Sequence, residues 1–254
     1  MISHGEINTG LKRNINQDRI FISDLQIGAL PNLYIVADGM GGLDHGALAS
    51  QIAIDEFVKY IQDFHEVDLS THNSIINLLN RGLSHANYIL FNTSKKLDSN
   101  KGMGTTFTAA TIINGYIYVA YVGDSRVYAL NKKDLIQLTT DHSVVQEMYE
   151  RGALTLNETL NHPMSYMITR AVGIQGATKS DSFSYDLSYT DLILVCSDGV
   201  YGMLSDSLLC DIITQNNIDI KNLLPTLSKQ IIDQANNNGG LDNLALILIS
   251  TEVD

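Results

Sequence analysis

The chain has 254 residues, 44% of them hydrophobic, and a formal net charge of -12. This length and apolar content exclude an intrinsically disordered chain and suffice for a large hydrophobic core. The acidic balance argues against a nucleic-acid-binding protein, because the basic pairs Lys95-Lys96 and Lys132-Lys133 are too short to form a basic patch.

The sequence contains two cysteines, Cys196 and Cys210, which are too few for a disulfide framework and show no zinc-ligand spacing. Cys196 ends an apolar run, so we expect a buried structural thiol there. No apolar stretch resembles a signal peptide or approaches the length of a membrane-spanning helix. The sequence therefore predicts a soluble cytoplasmic protein without membrane insertion, with one domain over residues 1–254 and a monomer by default.

The first half of the chain combines strands with two helices. Runs of β-prone apolar residues mark the strands, and apolar residues at helical spacing mark the helices. Asn114-Gly115 is a strong signal for a hairpin turn. The predicted elements are strands at 18–24 and 32–37, helices at 46–64 and 73–92, and strands at 105–113, 115–122, 126–130 and 135–139.

The second half begins with a short predicted helix at 143–151, where Ser143 and Gln146 have the spacing of a capping box. Residues 152–178 have no clear periodicity, and an irregular stretch of that length is often a functional flap. The remaining predicted elements are strands at 180–187 and 190–196, helices at 205–215 and 222–236, and a last strand at 243–250. Runs of strands separated by helix pairs favour two stacked sheets with helices outside.

Four segments place an aspartate beside Gly, Ser or Asn at the end of an apolar run. They are Asp38-Gly39-Met40-Gly41-Gly42, Gly123-Asp124-Ser125-Arg126, Ser197-Asp198-Gly199 and Asp242-Asn243. Glycine allows a tight turn and a close approach of the main chain to an ion. Clustered Asp oxygens, with few His and no metal-spaced Cys, suit hard divalent cations such as Mg²⁺ or Mn²⁺. The pattern indicates a two-metal hydrolase acting on phosphate esters.

Three of these aspartates have two open interpretations. Asp38, Asp198 and Asp242 are metal ligands if their turns converge, and ordinary strand-end turn residues if they do not. In the first case Gly39 adds its carbonyl oxygen as a ligand, and Ser197 supports the turn at Asp198.

The segment from Asp124 onwards is equally open. Asp124 is either a further metal ligand or a turn residue that pairs with Arg126. Asp141 and His142 could be ligands, but the sequence favours helix capping by Asp141 and Ser143, which makes His142 a supporting or packing residue.

Arg13 lies in the polar segment from Gly10 to Asp18, just before the first predicted strand, which begins at Asp18. A guanidinium group suits the oxygens of a phosphate, although a surface Arg is the plainer interpretation. Asp18 either orients a metal-bound water or pairs with Arg19.

The ordered set of motifs resembles the metal-dependent serine/threonine phosphatases of type 2C in their bacterial form. The resemblance spans essentially the whole chain. It rests on Gly10-x-x-Arg13-x-x-Asn16-Gln17-Asp18, Asp38-Gly39-Met40-Gly41-Gly42 with Gly46-x-x-Ala49-Ser50, Gly102-Met103-Gly104-Thr105-Thr106, Gly123-Asp124-Ser125-Arg126-x-Tyr128, Thr140-Asp141-His142-Ser143, His162-Pro163 with Ile168-Thr169-Arg170-Ala171-x-Gly173, Ser197-Asp198-Gly199, and Asp242-Asn243.

This resemblance implies an α+β fold, a four-layer α-β-β-α sandwich of two antiparallel sheets flanked by helix pairs. It implies that Asp38 bridges two Mn²⁺ or Mg²⁺ ions, that Gly39 binds one ion through its carbonyl, and that Asp198 and Asp242 bind the other. Asp124, together with Asp198, contributes to a possible third and weaker site.

The resemblance also implies that Arg13 holds the substrate phosphate, that Asp18 supports the metal site from the second layer, and that a mobile flap lies near residues 144–170. Arg13, Asp38 and Asp198 are thus the candidate catalytic residues. The implied partners are phosphorylated proteins and a cognate serine/threonine kinase.

Three positions depart from the family pattern. An acidic residue of the first motif is replaced by Asn8, a Glu by Gln17, and a His after the glycine-rich turn by Leu43. The changes weaken the expected metal affinity and remove the usual His general acid, for which His45 is a candidate substitute.

Two bound metals can hold a water between them and lower its pKa towards neutrality. We therefore expect in-line attack of a metal-bridging hydroxide on the phosphorus of phosphoserine and phosphothreonine, with Arg13 and the metals stabilising the phosphoryl charge. A cysteine-dependent mechanism is excluded, because the Arg required six residues after the nucleophile is Gly202 or Asn216 here. Two alternatives remain at this stage: a non-catalytic phosphoprotein-binding regulatory domain on the same fold, and a hydrolase of small phosphate esters.

Overall fold

The computed structural model describes residues 2–42, 45–64, 67–97, 102–160, 162–215 and 220–251. Its strands are β1 (Ile2–Asn8), β2 (Asp18–Ser23), β3 (Leu33–Gly41), β4 (Met103–Thr105), β5 (Phe107–Ile113), β6 (Tyr116–Val122), β7 (Arg126–Asn131), β8 (Asp134–Gln137), β9 (Asp181–Asp186), β10 (Leu192–Cys196) and β11 (Leu244–Ser250). They form two antiparallel sheets. One has the order β1-β11-β10-β7-β8, and the other has the order β2-β3-β5-β6-β9 with β4 paired to β3.

The helices in the described residues are α1 (His45–Gln62), α2 (His72–Lys96), α3 (Val144–Glu150), α4 (Leu156–Leu160), α5 (Asp198–Tyr201), α6 (Asp206–Thr214) and α7 (Ile220–Asn237). None of them combines the length and the apolar character that crossing a membrane would require.

Three apolar clusters define the layers. One cluster, which includes Phe57, packs the six-stranded sheet against α1 and α2. A second, which includes Ile231, packs the five-stranded sheet against α5, α6 and α7. The third, which includes Val119 and Ile247, lies between the two sheets. The predicted four-layer α-β-β-α sandwich is confirmed, with the pair α1 and α2 on one outer face and the pair α6 and α7, together with the four-residue helix α5, on the other.

Most predicted elements occur at or near their predicted positions, and the hairpin at Asn114-Gly115 is confirmed. Both residues have positive φ, +51° and +79°, as a tight two-residue hairpin turn requires. Ser143 caps α3 as predicted, since its hydroxyl accepts the Gln146 N–H at 3.2 Å. The side chain of Gln146 donates instead to Glu150 at 3.0 Å, so this bond does not complete the reciprocal half of a capping box.

Some elements were missed by the sequence patterns. β1 contains only two apolar residues and becomes a strand by pairing along its whole length with β11, from Ile2 opposite Ser250 to Asn8 opposite Leu244. The stretch 152–178 was predicted to be irregular, but it contains the five-residue helix α4. That helix is too short for a hydrophobic period to reveal it.

His142 fixes the base of the flap segment (residues 144–170). Its backbone N–H donates to the carbonyl of Gly123 at 3.0 Å, and its carbonyl accepts from the Thr169 N–H at 2.7 Å. Its ring Nδ1 accepts the Gly123 N–H at 3.0 Å, so the proton of the neutral ring lies on Nε2, 3.1 Å from Asp181 Oδ2. Arg170 pairs with Asp181 Oδ1 at 3.1 Å. Both ends of the flap segment are therefore attached to the sheets through one residue, His142, whose backbone and ring each make part of the connection.

The buried ring predicts a pH dependence of stability. Burial, and then the charge of Arg170, lowers the pKa of His142. In the unfolded chain a His takes up its proton near a pKa of about 6.5, whereas the native ring stays neutral to lower pH, so native stability is lost as the pH falls through that range. We expect His142→Asn, whose amide oxygen can accept the Gly123 N–H, to lose less stability than wild type between about pH 7.5 and about pH 5.5. The difference should be at most about 1.4 kcal/mol.

Urea denaturation of both proteins at the two pH values measures this difference. An identical loss of unfolding free energy in the two proteins would contradict a neutral native His142.

Candidate functional site

Asp18 and Asp38 lie opposite each other on neighbouring strands. β2 begins at Asp18, and the antiparallel register pairs Asp18 with Asp38 near the end of β3. Directly opposed residues of such a pair place their Cβ atoms about 4.5–5.5 Å apart on one face of the sheet. Asp18 is buried and Asp38 is half-buried. Two carboxylates thus share the end of the six-stranded sheet.

The five-stranded sheet brings Asp198 and Asp242 to the same end. Asp198 begins α5 directly after β10, and Asp242 lies just before β11, the neighbour of β10. Ser197 joins the two sheets, because its hydroxyl donates to Asp18 Oδ2 at 2.7 Å and accepts the Ala245 N–H at 3.0 Å. Ser197 therefore supports the turn, as the sequence suggested, and aligns both sheets at the site.

Two threonine hydroxyls hold the backbone of Asp38, and close packing against Gly46 fixes Gly39. The Asp38 N–H donates to the Thr106 hydroxyl at 2.9 Å, and the Asp38 carbonyl accepts the Thr105 hydroxyl at 2.8 Å. At Gly39, a Cβ atom would lie 2.0 Å from the carbonyl oxygen of Gly46. Only glycine fits this position, where β3 meets the start of α1.

Burial and like charges raise the pKa of these carboxyl groups. Burial, with repulsion from Asp198 and Asp242, raises the pKa of Asp18 to about 7. Burial, with repulsion from Asp18, Asp198 and Asp124, holds the pKa of Asp38 well above its usual range. The pKa of Asp198 is raised by burial and then by Asp242. Asp18, Asp38, Asp198 and Asp242 therefore share one electrostatic environment, and Asp124 acts on it as well.

Asp124 belongs to the same group. It lies on the turn between β6 and β7, and burial followed by repulsion from Asp198 and Asp141 raises its pKa to about 8. The preceding Gly123 has a φ of +107°, and a Cβ there would lie 2.6 Å from Thr106. The turn is therefore packed closely against the Thr106 that also binds Asp38.

Of the two interpretations left open for Asp124, pairing with Arg126 does not occur, because Arg126 binds Asp141 instead. Asp141 does not cap α3, whose N-cap is Ser143, so that prediction was wrong. Arg126 binds the Asp141 carboxylate through Nε at 3.0 Å and Nη2 at 2.7 Å, and its guanidinium lies 3.6 Å from the ring centre of Tyr201. A two-pronged bond of this kind satisfies both groups more completely than a turn partner can. The Asp124 carboxylate therefore has no ion pair with Arg126 and belongs to the acidic cluster.

Tyr201 is a residue that the sequence patterns did not single out. Its hydroxyl donates to the carbonyl of Asp124 at 3.0 Å, and it lies on the same helical turn as Asp198. It therefore fixes the Asp124 turn relative to α5. No sequence signal marks it, because it reads as an ordinary residue after Ser197-Asp198-Gly199.

Arg13 reaches the edge of the carboxylate cluster. Its Nη2 lies 2.7 Å from Asp242 Oδ2, and the two side chains are 54% and 36% exposed. The hydrogen bond that Arg13 donates to Asp242, supported by the charges of Asp242, Asp198 and Asp38, raises the pKa of Arg13. Arg13 thus lies at the solvent-facing rim of the site, where a phosphate could approach.

Asn243 holds the loop that carries Arg13. Its side chain accepts the Gln17 N–H at 2.9 Å and donates to the carbonyls of Thr9 and Ile15 at 2.9 and 3.0 Å. The sequence singled out Asp242-Asn243 as a pair, but only the structure gives Asn243 this role.

The unusual residues of the first motif are accommodated locally. Asn8 accepts the Gly10 N–H at 2.9 Å, a bond that a carboxylate oxygen could equally make. Gln17 packs against Gly46, and its carbonyl accepts from Ser50 at 2.6 Å. Leu43 lies outside the described residues. The candidate substitute His45 is half-buried at the first position of α1, with its Cβ beside Gly41.

The residues at this site fit a divalent cation in charge and ligand type. Asp18 Oδ1 and Asp198 Oδ1 are buried oxygens without a hydrogen-bond partner in the described structure. Buried carboxylates that repel one another and have open oxygens match the preference of hard cations for oxygen ligands. No three His, Cys, Asp or Glu side chains of the described residues form a complete ligand set, and Asp242 is paired with Arg13. The fit therefore rests on charge and donor type.

Several known proteins are similar to this chain in sequence and in fold. A family model described as Protein phosphatase 2C matches residues 11–230. The chain is 34% identical over 220 residues to "Serine/threonine phosphatase stp" of Listeria welshimeri, covering 85% of this chain and 83% of the relative. It is 32% identical over 244 residues to "Protein phosphatase PhpP" of Streptococcus pneumoniae, covering 96% and 94%.

Solved structures agree. The S. agalactiae serine/threonine phosphatase has a TM-score of 0.85 at 32% identity and covers 98% of this chain and 99% of its own. The Mycobacterium tuberculosis serine/threonine phosphatase PstP/Ppp has a TM-score of 0.84 at 26% identity and covers 99% and 98%. The family is metal-dependent and enzymatic. The chain therefore belongs to the protein phosphatase 2C family and is a serine/threonine protein phosphatase.

Proposed function

We propose that the carboxylate cluster is the metal centre of this phosphatase and takes two Mn²⁺ or Mg²⁺ ions. Asp38, with the Gly39 carbonyl, and the pair Asp198 and Asp242 are the proposed ligands. Asp124, with Asp198, is the proposed holder of a third ion. The observation that carries the proposal is the convergence of these carboxylates, together with the raised pKa values of Asp38, Asp124 and Asp198 and the open oxygens on Asp18 and Asp198.

The roles of the surrounding residues follow from their contacts. Asp18 is already bound on one side by Ser197, so its free oxygen can orient a water ligand without joining the ligand set. Divalent cations bound here would supply Lewis-acid stabilisation of the phosphoryl charge and a water of lowered pKa. The catalytic residues in this proposal are Arg13, Asp38 and Asp198.

Arg13 is the proposed phosphate-binding residue. Its half-exposed guanidinium can turn from Asp242 towards the oxygens of a phosphate and bind them in a two-pronged arrangement. An exposed ion pair contributes about 0–1 kcal/mol. Breaking the pair with Asp242 therefore costs less free energy than a two-pronged bond to a phosphate provides.

The proposed substrates are phosphoserine and phosphothreonine residues of proteins, modified by a cognate serine/threonine kinase in the cytoplasm. We propose that the chain works as a single catalytic domain and as a monomer. The pairing of β1 with β11 supports the single domain, because the two most distant strands in the sequence lie side by side in one sheet.

Asp198→Asn tests the metal centre through two readouts. With Mn²⁺, we expect hydrolysis of a phosphothreonine peptide to fall by about 10²-fold or more, since one charged ligand is lost. Without metal, the variant should unfold at a higher temperature than wild type near pH 8, because removing one carboxylate relieves repulsion within the cluster. Added Mn²⁺ should stabilise wild type more than the variant.

Asp55→Asn is the control, because Asp55 is an exposed carboxylate on α1. Wild-type activity that survives a chelator, together with full activity of Asp198→Asn, would contradict the metal centre. No hydrolysis by a folded wild-type protein that binds Mn²⁺ would point to a different ester.

Arg13→Ala separates phosphate binding from metal binding. We expect kcat/KM for the phosphopeptide to fall by about 10²-fold, because a charged donor to the phosphate is lost. Metal affinity measured by calorimetry should be equal or higher, since Asp242 Oδ2 no longer pairs with Arg13. Lys12→Ala, a neighbouring exposed cation of the same loop, is the control for a general loss of positive charge. A weaker metal affinity in Arg13→Ala would contradict this assignment.

Tyr201→Phe tests the position of the Asp124 turn. The variant keeps the ring beneath Arg126 but loses the hydroxyl that binds the Asp124 carbonyl. We expect a loss of about 1 kcal/mol in the free energy of unfolding. In a calorimetric titration we also expect weaker binding of the third divalent ion, which is the one proposed at Asp124. Tyr128→Phe is the matched control. The Tyr128 hydroxyl bonds to Arg126 and Asp206 and, in the described residues, does not bond to Asp124. Equal metal titrations for the two variants would contradict the positioning role.

A further inference from the structure

Three large apolar side chains are exposed around the proposed phosphate-binding residue. Leu11 is 65% exposed, Leu241 is 55% exposed and Ile15 is 45% exposed. We call these three residues the apolar rim. A single exposed apolar side chain is ordinary on a protein surface, but a group beside a reactive centre indicates a contact surface.

The apolar rim is held on a fixed backbone. The N–H groups of Leu11 and Lys12 both donate to the Gly240 carbonyl, at 2.8 and 3.2 Å. Asn243 donates to the carbonyl of Ile15 at 3.0 Å. These bonds join the loop before β2 to the turn before β11.

Close packing at the turn supports the same picture. A Cβ on Gly240 would lie 2.8 Å from Leu11 Cγ, and a Cβ on Gly239 would lie 3.6 Å from Leu241 Cγ. Gly240 also has a φ of +52°, which favours glycine. The two leucines therefore lie over adjacent glycines of one turn, with their side chains still exposed.

The apolar rim is continuous with the Arg13–Asp242 pair. Arg13 lies midway between Leu11 and Ile15 in the sequence, and Leu241 directly precedes Asp242. Consecutive Cα atoms of a bound peptide are about 3.8 Å apart. A phosphorylated residue held at Arg13 would therefore bring its immediate neighbours over these side chains.

We propose that the apolar rim binds an apolar side chain adjacent to the phosphorylated residue, so that the enzyme selects phosphoprotein segments in which an apolar residue flanks the phosphoserine or phosphothreonine. The inference rests on the proposed phosphate-binding role of Arg13. Contact with one apolar side chain of the substrate explains why three apolar residues lie at the entrance of an otherwise acidic site. Partial burial of a Leu against such a surface corresponds to about three- to tenfold in kcat/KM.

Three phosphothreonine peptides of equal length test the proposal. They carry Leu, Ser or Asp on both sides of the phosphothreonine and are otherwise identical. For wild type with Mn²⁺ we expect kcat/KM for the Leu peptide to exceed that for the Ser peptide by about three- to tenfold. In the double variant Leu11→Ser, Leu241→Ser this ratio should fall to about one. Because both peptides are measured with the same enzyme, a change in overall activity cancels in the ratio.

Leu25→Ser is the matched control, because Leu25 is 78% exposed and follows β2 at the end opposite Asp18, so it should keep the wild-type ratio. Equal rates for the Leu and Ser peptides with wild type would overturn the proposal, as would a preference for Asp or a Leu preference that survives in the double variant. N-acetyl-phosphothreonine amide, which has no flanking side chains, tests hydrolysis of the phosphate independently of the selection of flanking residues. If wild type hydrolyses none of the four substrates, the proposed function itself fails.

Discussion

Asp18, Asp38, Asp124 and Asp198 are held near one another at the end of two sheets, and burial with mutual repulsion raises the pKa of each carboxyl group. Isolated charges of one sign would separate or take up protons, so the scaffold must hold them in place. It does so from both sheets at once, which makes the alignment of the sheets and the geometry of the acidic cluster a single structural problem. Ser197 shows this most directly, because one hydroxyl group binds a carboxylate of one sheet and the backbone of the other.

The groups that position the inner carboxylates are neutral. Thr106, Ser197 and Tyr201 supply hydroxyl groups to them or to their backbone, whereas the half-buried Arg126 is engaged by Asp141. Neutral donors position a carboxylate without cancelling its charge, so the cluster keeps its negative potential for a divalent cation. A lysine or arginine inside the cluster would stabilise the metal-free protein and compete with the ions. The arrangement therefore favours function over the stability of the metal-free state.

The order of strands and helices and the Asp turns could be predicted from sequence because each depends on local chemistry. An apolar run followed by Asp-Gly identifies a strand end, and motif order indicates the family. The partner of a charged side chain does not follow from local sequence. Arg126 lies two residues from Asp124 but binds Asp141, and Tyr201 carries no motif, because both contacts depend on how β7, β8 and α5 pack. The strand β1 was missed for the same reason, since its pairing with β11 joins opposite ends of the chain.

Arg13 and its partner Asp242 form an exposed ion pair at the rim of the site, whereas Asp18 and Asp124 are buried. Asp242 is also a proposed metal ligand, so the same carboxylate oxygen cannot serve an ion and the guanidinium equally well. An ion held by Asp242 would weaken the pair, and a guanidinium released from the pair would be free to bind a phosphate. The exposed pair is worth about 0–1 kcal/mol, so either partner can be exchanged at small cost. Under the proposed roles, metal binding would therefore favour substrate binding through one shared carboxylate, and the loop bonded to Asn243 would keep the released Arg13 beside the cluster.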